Sequence, residues 1–338
     1  MKEPLVSVVM PCYNAAATVE RALVSLSAQT YKNVEIVAID DGSDDETADI
    51  LAAHAQRDGR ISVIRQEHAG IVAALNTGLG AARGELIARM DADDESHAER
   101  LARQAAFLAG HPETGVVGCG VKYAGGAEGR GYAEHVRWLN SLQTAEEISL
   151  NRFRESPLAH PGVMFWRALV AAHGGYRDGD FPEDYELWLR WLECGVRMAS
   201  VKEELLVWYD SPRRLSRIDE RYRVEAFYRL KAGYLARWLA RHNRHHPRVI
   251  IGGAGRVTRR RAEVLAEHGV VIEAYADIDR RKIGRRYGMA PVIGMGEIPG
   301  AAECFVVPYV GARGAAGAWE QFLKERGFAA GQSYILAS

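Results

Sequence analysis

The chain has 338 residues, a formal net charge of −1, and is 48% hydrophobic and 26% charged. That length suggests two domains, and the composition is that of an ordinary soluble globular protein. The near-neutral balance excludes a global pull toward nucleic acid, so nucleic acid is not an expected partner and any polyanion site must be local. Four scattered cysteines, Cys12, Cys119, Cys194 and Cys304, form no CxxC pair. This fits a reducing cytoplasm and argues against a zinc cluster or a disulfide framework. The first residues run almost at once into "LVSVVM", with no basic stretch and no cleavage site, so no signal peptide is expected. No apolar stretch reaches the roughly 18 residues that a membrane span needs.

In chain order, strand-like and helix-like signals alternate. "LVSVVM" (5–10), "VEIVAID" (34–40), "ISVIRQ" (61–66), "ELIARMD" (85–91) and "GVVGCGVKY" (115–123) read as strands. Residues 16–29, 45–56, 70–83 and 98–110 have helical spacing between them. The alternation predicts an α/β domain with a largely parallel sheet. Ligands of such sheets sit beyond the carboxyl ends of the strands. Three strand ends carry distinctive polar residues: "PCYN" (Pro11 to Asn14), "DDGS" (Asp40 to Ser43) and "DADD" (Asp91 to Asp94).

Each motif has a structural reading beside a functional one. In "DDGSDDET", Ser43 and Glu46 have the spacing of a capping box and Gly42 suits a turn. Asp40 and Asp41 are left over, placed to accept hydrogen bonds from a base N–H or a ribose hydroxyl. In "DADDES", Ser96 and Glu99 form a second capping-box pattern. An extended run from Asp91 to Asp93 puts both carboxylates on one side of the chain, which suits Mg²⁺ or another hard divalent cation. The alternative is a solvated acidic loop. Asn76 and Arg83 share a helix face; Arg83 can contact a phosphate or cap the helix end. In "FPEDYELWLRW" a helix with a thick apolar side starts at Glu183 and Asp184. Those acids either favour a helix N-terminus or supply a general base. His160, in "HPGVMFWR", can approach the same cleft.

Together these pieces resemble a family 2 glycosyltransferase of the GT-A fold. "VSVVMPCYNA", "VEIVAIDDGSDDET", "GIVAALNTGLGAARGELIARMDADDESHAERLARQ", "HPGVMF" and "EDYELWLRW" stand in the family's order, and "RRLS" (213–216) resembles its short basic motif. The likeness covers about residues 4–216. Ala98 departs from it, where the family commonly has proline. The resemblance implies that Tyr13, after Pro11 and before Asn14, lies against the nucleotide base, and that Asp41, with Asp40, hydrogen-bonds that base. It makes Asp91 and Asp93 the DxD pair, with Asp93 the direct ligand of Mg²⁺ or Mn²⁺, and Asp184 the general base. Asn76 and Arg83 would lie on the donor side, and His160, Glu183 and Arg214 on the acceptor side. The implied partners are a nucleotide-sugar donor and a saccharide or lipid-linked saccharide acceptor.

Residues 213–248 hold eleven Arg and Lys against three acids, interleaved with aromatic residues. They read as a solvated connecting helix, or as a peripheral contact with anionic lipid. A third unit begins at "RVIIGGAGRVTRRRAEVLAEHGVVIEAYADID" (248–279). Gly253, Gly255 and Asp277 match part of a Rossmann-like nucleotide fingerprint, but Thr258 stands where its third glycine belongs. The unit is expected to bind a nucleotide or to serve packing or homo-oligomerisation. The expected domains are therefore 1–216 (GT-A), 217–247 (helical connector) and 248–338 (small Rossmann-like α/β domain).

Overall fold

The computed structural model describes residues 3–126, 130–211, 214–311 and 314–338; Arg213, which opens the basic motif, lies outside them. By contact the chain forms two units, Met1–Ser149 with Pro157–Asp219, and Leu150–Ser156 with Glu220–Ser338.

In the first unit, strands β1 (Val6–Cys12), β2 (Val34–Asp40), β3 (Ile61–Arg65) and β4 (Leu86–Arg89) are parallel, in the order β3-β2-β1-β4. Every residue of β1 and β2 is buried, as continuous apolar runs covered on both faces should be. Helices α1 (Val19–Ser27), α2 (Thr47–Arg57) and α3 (Ile71–Ala81) connect them. Gly78 of α3 is a packing requirement: a Cβ there would stand 2.5 Å from Val9 and 2.7 Å from Ile39.

The sheet continues beyond β4 with β5 (Glu95–Ser96), β6 (Thr114–Ala124), β7 (Met164–Trp166) and β8 (Arg197–Tyr209). Here it departs from the parallel expectation, because β7 runs antiparallel to both β4 and β6 and β5 antiparallel to β8. The consequence is positional. The turn before β7 lies at the carboxyl end of β4, where Arg89 N–H donates to Val163 O at 2.9 Å. Helices α4 (Arg100–Gly110), α5 (Arg130–Asn140), α6 (Ala145–Asn151), α7 (Ala168–His173), α8 (Glu183–Glu193) and α9 (Leu215–Ile218) complete this part of the chain. The apolar side of α8 is core: Tyr185, Leu187, Trp188, Leu189 and Trp191 are buried, and Trp191 meets Phe165 edge-on at 5.2 Å. Arg190, paired with Glu186 at 2.9 Å, also donates to the carbonyls of His173, Gly174 and Gly175, fixing the turn that faces α8.

Neither expected capping box forms. Ser43 Oγ instead accepts from Asn14 N–H at 3.0 Å, and Asp45 accepts Thr47 N–H at the start of α2. Ser96 sits in β5, where its hydroxyl accepts from Gln29, and Glu99 pairs with Arg103. In both places a tertiary partner outcompetes the local cap.

The second unit has α10 (Val224–His242), β9 (Arg248–Gly252), α11 (Arg256–Ala266), β10 (Val271–Asp277), β11 (Arg286–Tyr287), β12 (Ala290–Gly294), β13 (Val306–Pro308) and α12 (Ala315–Glu325), with strand order β11-β12-β10-β9-β13. All pairs are parallel except β11 with β12. α10 packs as part of this unit. Trp238 is buried near Phe153 and Phe305, and buried Lys231 donates to the carbonyls of Phe153, Arg154 and Ala337. Of its aromatic side chains Trp238 is buried, while Phe227, Tyr228 and Tyr234 are half-buried. Among the described residues no helix is long and apolar enough to cross a membrane.

Candidate active site

The site assembles at the carboxyl ends of β1, β2 and β4. β1 ends in buried Pro11 and Cys12, then turns at Asn14, whose φ of 48° is a left-handed conformation that asparagine tolerates. Asn14 is latched to the loop after β2 by its own N–H and by Asp44 N–H, which donates to its side chain at 3.0 Å. Tyr13 is 48% exposed and its ring stacks on His68, centroids 4.0 Å apart. His68 had no signal in the sequence; only the fold puts it beside Tyr13.

Asp40 and Asp41 are both buried. Asp40 accepts Ser43 N–H at 3.1 Å and faces Arg65 at 3.3 Å. Asp41 accepts from Gln66 and from the backbone N–H groups of Ala69 and Gly70, at 2.6 to 3.0 Å. Its carboxylate therefore shapes the 66–70 loop that carries His68 and leads into α3.

The acids after β4 do not stay extended. Residues 92–94 form a turn, and this turn brings oxygens of Asp91, Asp93 and Asp94 within 4.8 Å of one another. Asp91 pairs with Arg89 at 2.6 Å and with Arg214 at 3.5 Å. Burial pulls the Asp91 carboxyl upward, but the guanidiniums of Arg89 and Arg214 outweigh it and hold it below the usual range. Asp93 is raised by burial and by the Asp91 charge. Asp94, fully buried, is raised well above the usual range by burial first, although Arg214 opposes. Asp94 Oδ1 accepts Tyr209 N–H at 3.0 Å, while its Oδ2 is buried without a hydrogen-bond partner. Arg21 stacks on Tyr209 and donates to Asp93 O at 2.6 Å, which fixes the turn from its other side.

Arg89 was not singled out in the sequence, although a charged residue inside an apolar strand, two positions before Asp91, is the pattern that points to it. Arg214 lies on the acidic cluster, not apart from it.

His160 occupies a short 3₁₀ turn before β7; its Nε2 is 2.8 Å from the Tyr176 hydroxyl and its Nδ1 3.9 Å from Glu183. Burial, reinforced by Arg89 and opposed by Asp91, pushes His160 well below its ordinary value. Asn76 grips the Tyr176 backbone through both its N–H and its carbonyl, at 3.0 and 2.9 Å. Asn76 thereby positions Tyr176. Glu183 is buried and Asp184 half-buried at the start of α8. Burial raises the Tyr176 hydroxyl, and Glu183, Asp184 and Asp91 add to that rise. Arg83 is not part of this site. It pairs with Glu35 at 2.6 Å, and Glu35 lies beside Ser7 at the amino ends of β1 and β2. Leaving α3, the chain has already returned to the start of the sheet before β4 begins.

In the second unit the glycines serve the turn after β9. Gly253 has φ 96°, and a Cβ there would meet Val310 at 2.8 Å. Gly255 caps α11. Asp277 is occupied: it accepts Ala254 N–H at 2.7 Å and Asp279 N–H at 2.8 Å, and pairs with Lys282 at 3.0 Å.

The family model described as Glycosyl transferase family 2 matches residues 7–173. Putative glycosyltransferase EpsE of Bacillus subtilis (strain 168) is 34% identical over 208 residues, covering 60% of this chain and 72% of that protein. The chain belongs to glycosyl transferase family 2. Uncharacterized glycosyltransferase EpsJ of the same organism is 30% identical over 228 residues, so the match spans 64% of each protein, just under two thirds. Among solved structures, a mannosyltransferase from Pyrobaculum calidifontis in complex with GDP-Man and Mn²⁺ superposes with a TM-score of 0.53 at 22% identity, over 80% of this chain and 70% of that one. At that identity the likeness speaks for the fold alone, and the fold is GT-A. The family match lies in the first unit except for Leu150–Ser156; the rest of the second unit, Glu220–Ser338, lies outside it.

Proposed function

We propose that this family 2 chain is an inverting glycosyltransferase. It would move a sugar from a nucleoside diphosphate, a uracil nucleotide by family resemblance, to a hydroxyl of a saccharide or lipid-linked saccharide in surface glycan synthesis. The observation that carries this reading is the cluster after β4, where oxygens of Asp91, Asp93 and Asp94 lie within 4.8 Å of one another.

Three carboxylates whose oxygens converge within 4.8 Å, one oxygen of Asp94 being buried without a partner, fit a hard divalent cation. Asp93 and Asp91 would hold Mg²⁺ or Mn²⁺. When bound, such an ion supplies charge stabilisation to a departing diphosphate. Tyr13 and His68 offer a stacked platform for the base, in a loop shaped by Asp41. His160 lies against Tyr176 and Glu183, and Glu183 directly precedes Asp184 at the start of α8. The Asp184 carboxylate takes the acceptor hydroxyl proton while that oxygen bonds to the sugar C1 and the C1–O bond to the diphosphate breaks. A single displacement from the opposite face inverts the anomeric centre.

A thermal-shift screen of UDP-, GDP- and dTDP-sugars with and without Mn²⁺ tests the class; a shift that needs both donor and metal is expected. Asp184→Asn should retain that shift and lose transfer by about 10²-fold or more. Near wild-type transfer by this variant removes Asp184 from its role. Donor binding without transfer to any hydroxyl acceptor would leave a non-catalytic nucleotide-sugar sensor. A membrane-side acceptor is tested separately by sedimentation with anionic liposomes, and absence of binding disposes of the lipid-contact reading.

A further inference from the structure

The geometry points to Arg214 as an internal counter-ion that a divalent cation must displace. The inference rests on the reading that the acidic cluster takes such a cation. Three carboxylates face two guanidiniums here, and the two are held differently. Arg89 belongs to a sheet strand, is itself buried, and reaches one Asp91 oxygen at 2.6 Å. Arg214 follows the end of β8, outside any strand, and spans the whole cluster: 3.5 Å to Asp91, 4.0 Å to Asp93 and 3.4 Å to Asp94.

The Arg214 side chain is 9% exposed, lies over the Trp208 ring at 4.6 Å and donates to Tyr209 O at 2.7 Å. Its contacts to the three acids are long for charge-assisted hydrogen bonds, which run nearer 2.8 Å. It neutralises the cluster without saturating it, since Asp94 Oδ2 still has no hydrogen-bond partner. Without such a counter-ion, three acids packed this closely would repel one another strongly.

This arrangement couples metal and donor. A cation arriving alone must push the guanidinium from its anionic partners, which weakens binding. A nucleoside diphosphate arriving with the cation offers the displaced guanidinium new oxygens, so the two ligands favour each other. By linkage the favour is mutual and equal.

The test is titration of Mn²⁺ alone into the full chain by calorimetry, then again with saturating UDP. Arg214→Ala should bind Mn²⁺ about tenfold tighter than wild type, a fraction of the full attraction between close charges. UDP should also improve its Mn²⁺ affinity by a smaller factor than in wild type. Arg214→Lys keeps the charge but loses the fork; it should fall between the two, and it decides the matter if Arg214→Ala does not fold. Mn²⁺ affinity equal to or weaker than wild type in the folded variant overturns the inference. Asp93→Ala separates the two levels. Loss of Mn²⁺ binding there, with no gain from removing Arg214, sinks the counter-ion alone; Mn²⁺ binding that survives Asp93→Ala sinks the metal reading and the counter-ion with it.

Discussion

The carboxyl end of β4 and that of β10 look alike in sequence, since each runs from a strand into a short group of acids, "MDADD" and "ADID". The fold treats them in opposite ways. Asp277 has its oxygens taken by Ala254 N–H, Asp279 N–H and Lys282, so the acid closes its own glycine turn. After β4 the acids crowd one another, one carboxylate oxygen stays without a partner, Arg89 pairs with Asp91, and Arg214 bridges all three at 3.4 to 4.0 Å. Ligand chemistry needs an acid whose hydrogen-bond capacity the protein has not already spent on itself. By that measure the β4 end is the better candidate for a site, and the β10 acid fastens its own turn.

The largest expected effect lies on the β4 side. Asp93→Ala should lower metal-dependent transfer by about 10²-fold or more, because it removes charge-stabilising capacity where the leaving group develops charge. Steady-state assays with Mn²⁺ check this, and unchanged turnover breaks the comparison from the first side. On the β10 side, Asp277→Asn should leave transfer untouched and cost the second unit about 2 kcal/mol, the loss of charged hydrogen bonds inside one turn. Urea denaturation followed with transfer assays reads both. A fall in transfer without a fall in stability would make Asp277 a functional acid after all.

Much of the first unit was legible because its cues are local. Apolar runs with polar ends gave β1, β2 and β4, and their parallel order places the ends of "PCYN", "DDGS" and "DADD" together. What escaped was set by distance along the chain. The antiparallel course of β7 depends on pairing with β4 and β6, which no local pattern encodes. His68 stacks on a tyrosine 55 positions earlier, and Arg214 reaches acids about 120 positions earlier, so neither role could be read from spacing. Arg83 failed for a similar reason: a helix face shared with Asn76 says nothing about which end of the sheet its last turn overhangs. The two capping boxes were sound local patterns that lost to tertiary partners of Ser43 and Ser96.

A smaller effect sharpens the rule that an acid saturated by its own neighbours works for stability. Asp58, after α2, accepts two bonds from the Arg60 guanidinium at 2.9 and 2.7 Å, one from Arg60 N–H and one from Ser27 Oγ. The Arg60 bonds, opposed by partial burial and helped by the backbone and Ser27, hold its carboxyl down at about 2. The folded value lies below the unfolded one, so the native state binds fewer protons through the acid range. The stabilisation is therefore complete above about pH 4 and is lost as pH falls from there toward about 2. With the side chain 20% exposed, the gain should be about 1 kcal/mol at neutral pH. Asp58→Asn should remove it and flatten that part of the stability profile, while donor binding at the far end of the sheet stays as it was. Chemical denaturation of both proteins at pH 7 and pH 3 measures the slope. An undiminished acid dependence in the variant would mean that these hydrogen bonds, though made, contribute nothing to holding α1 and α2 together.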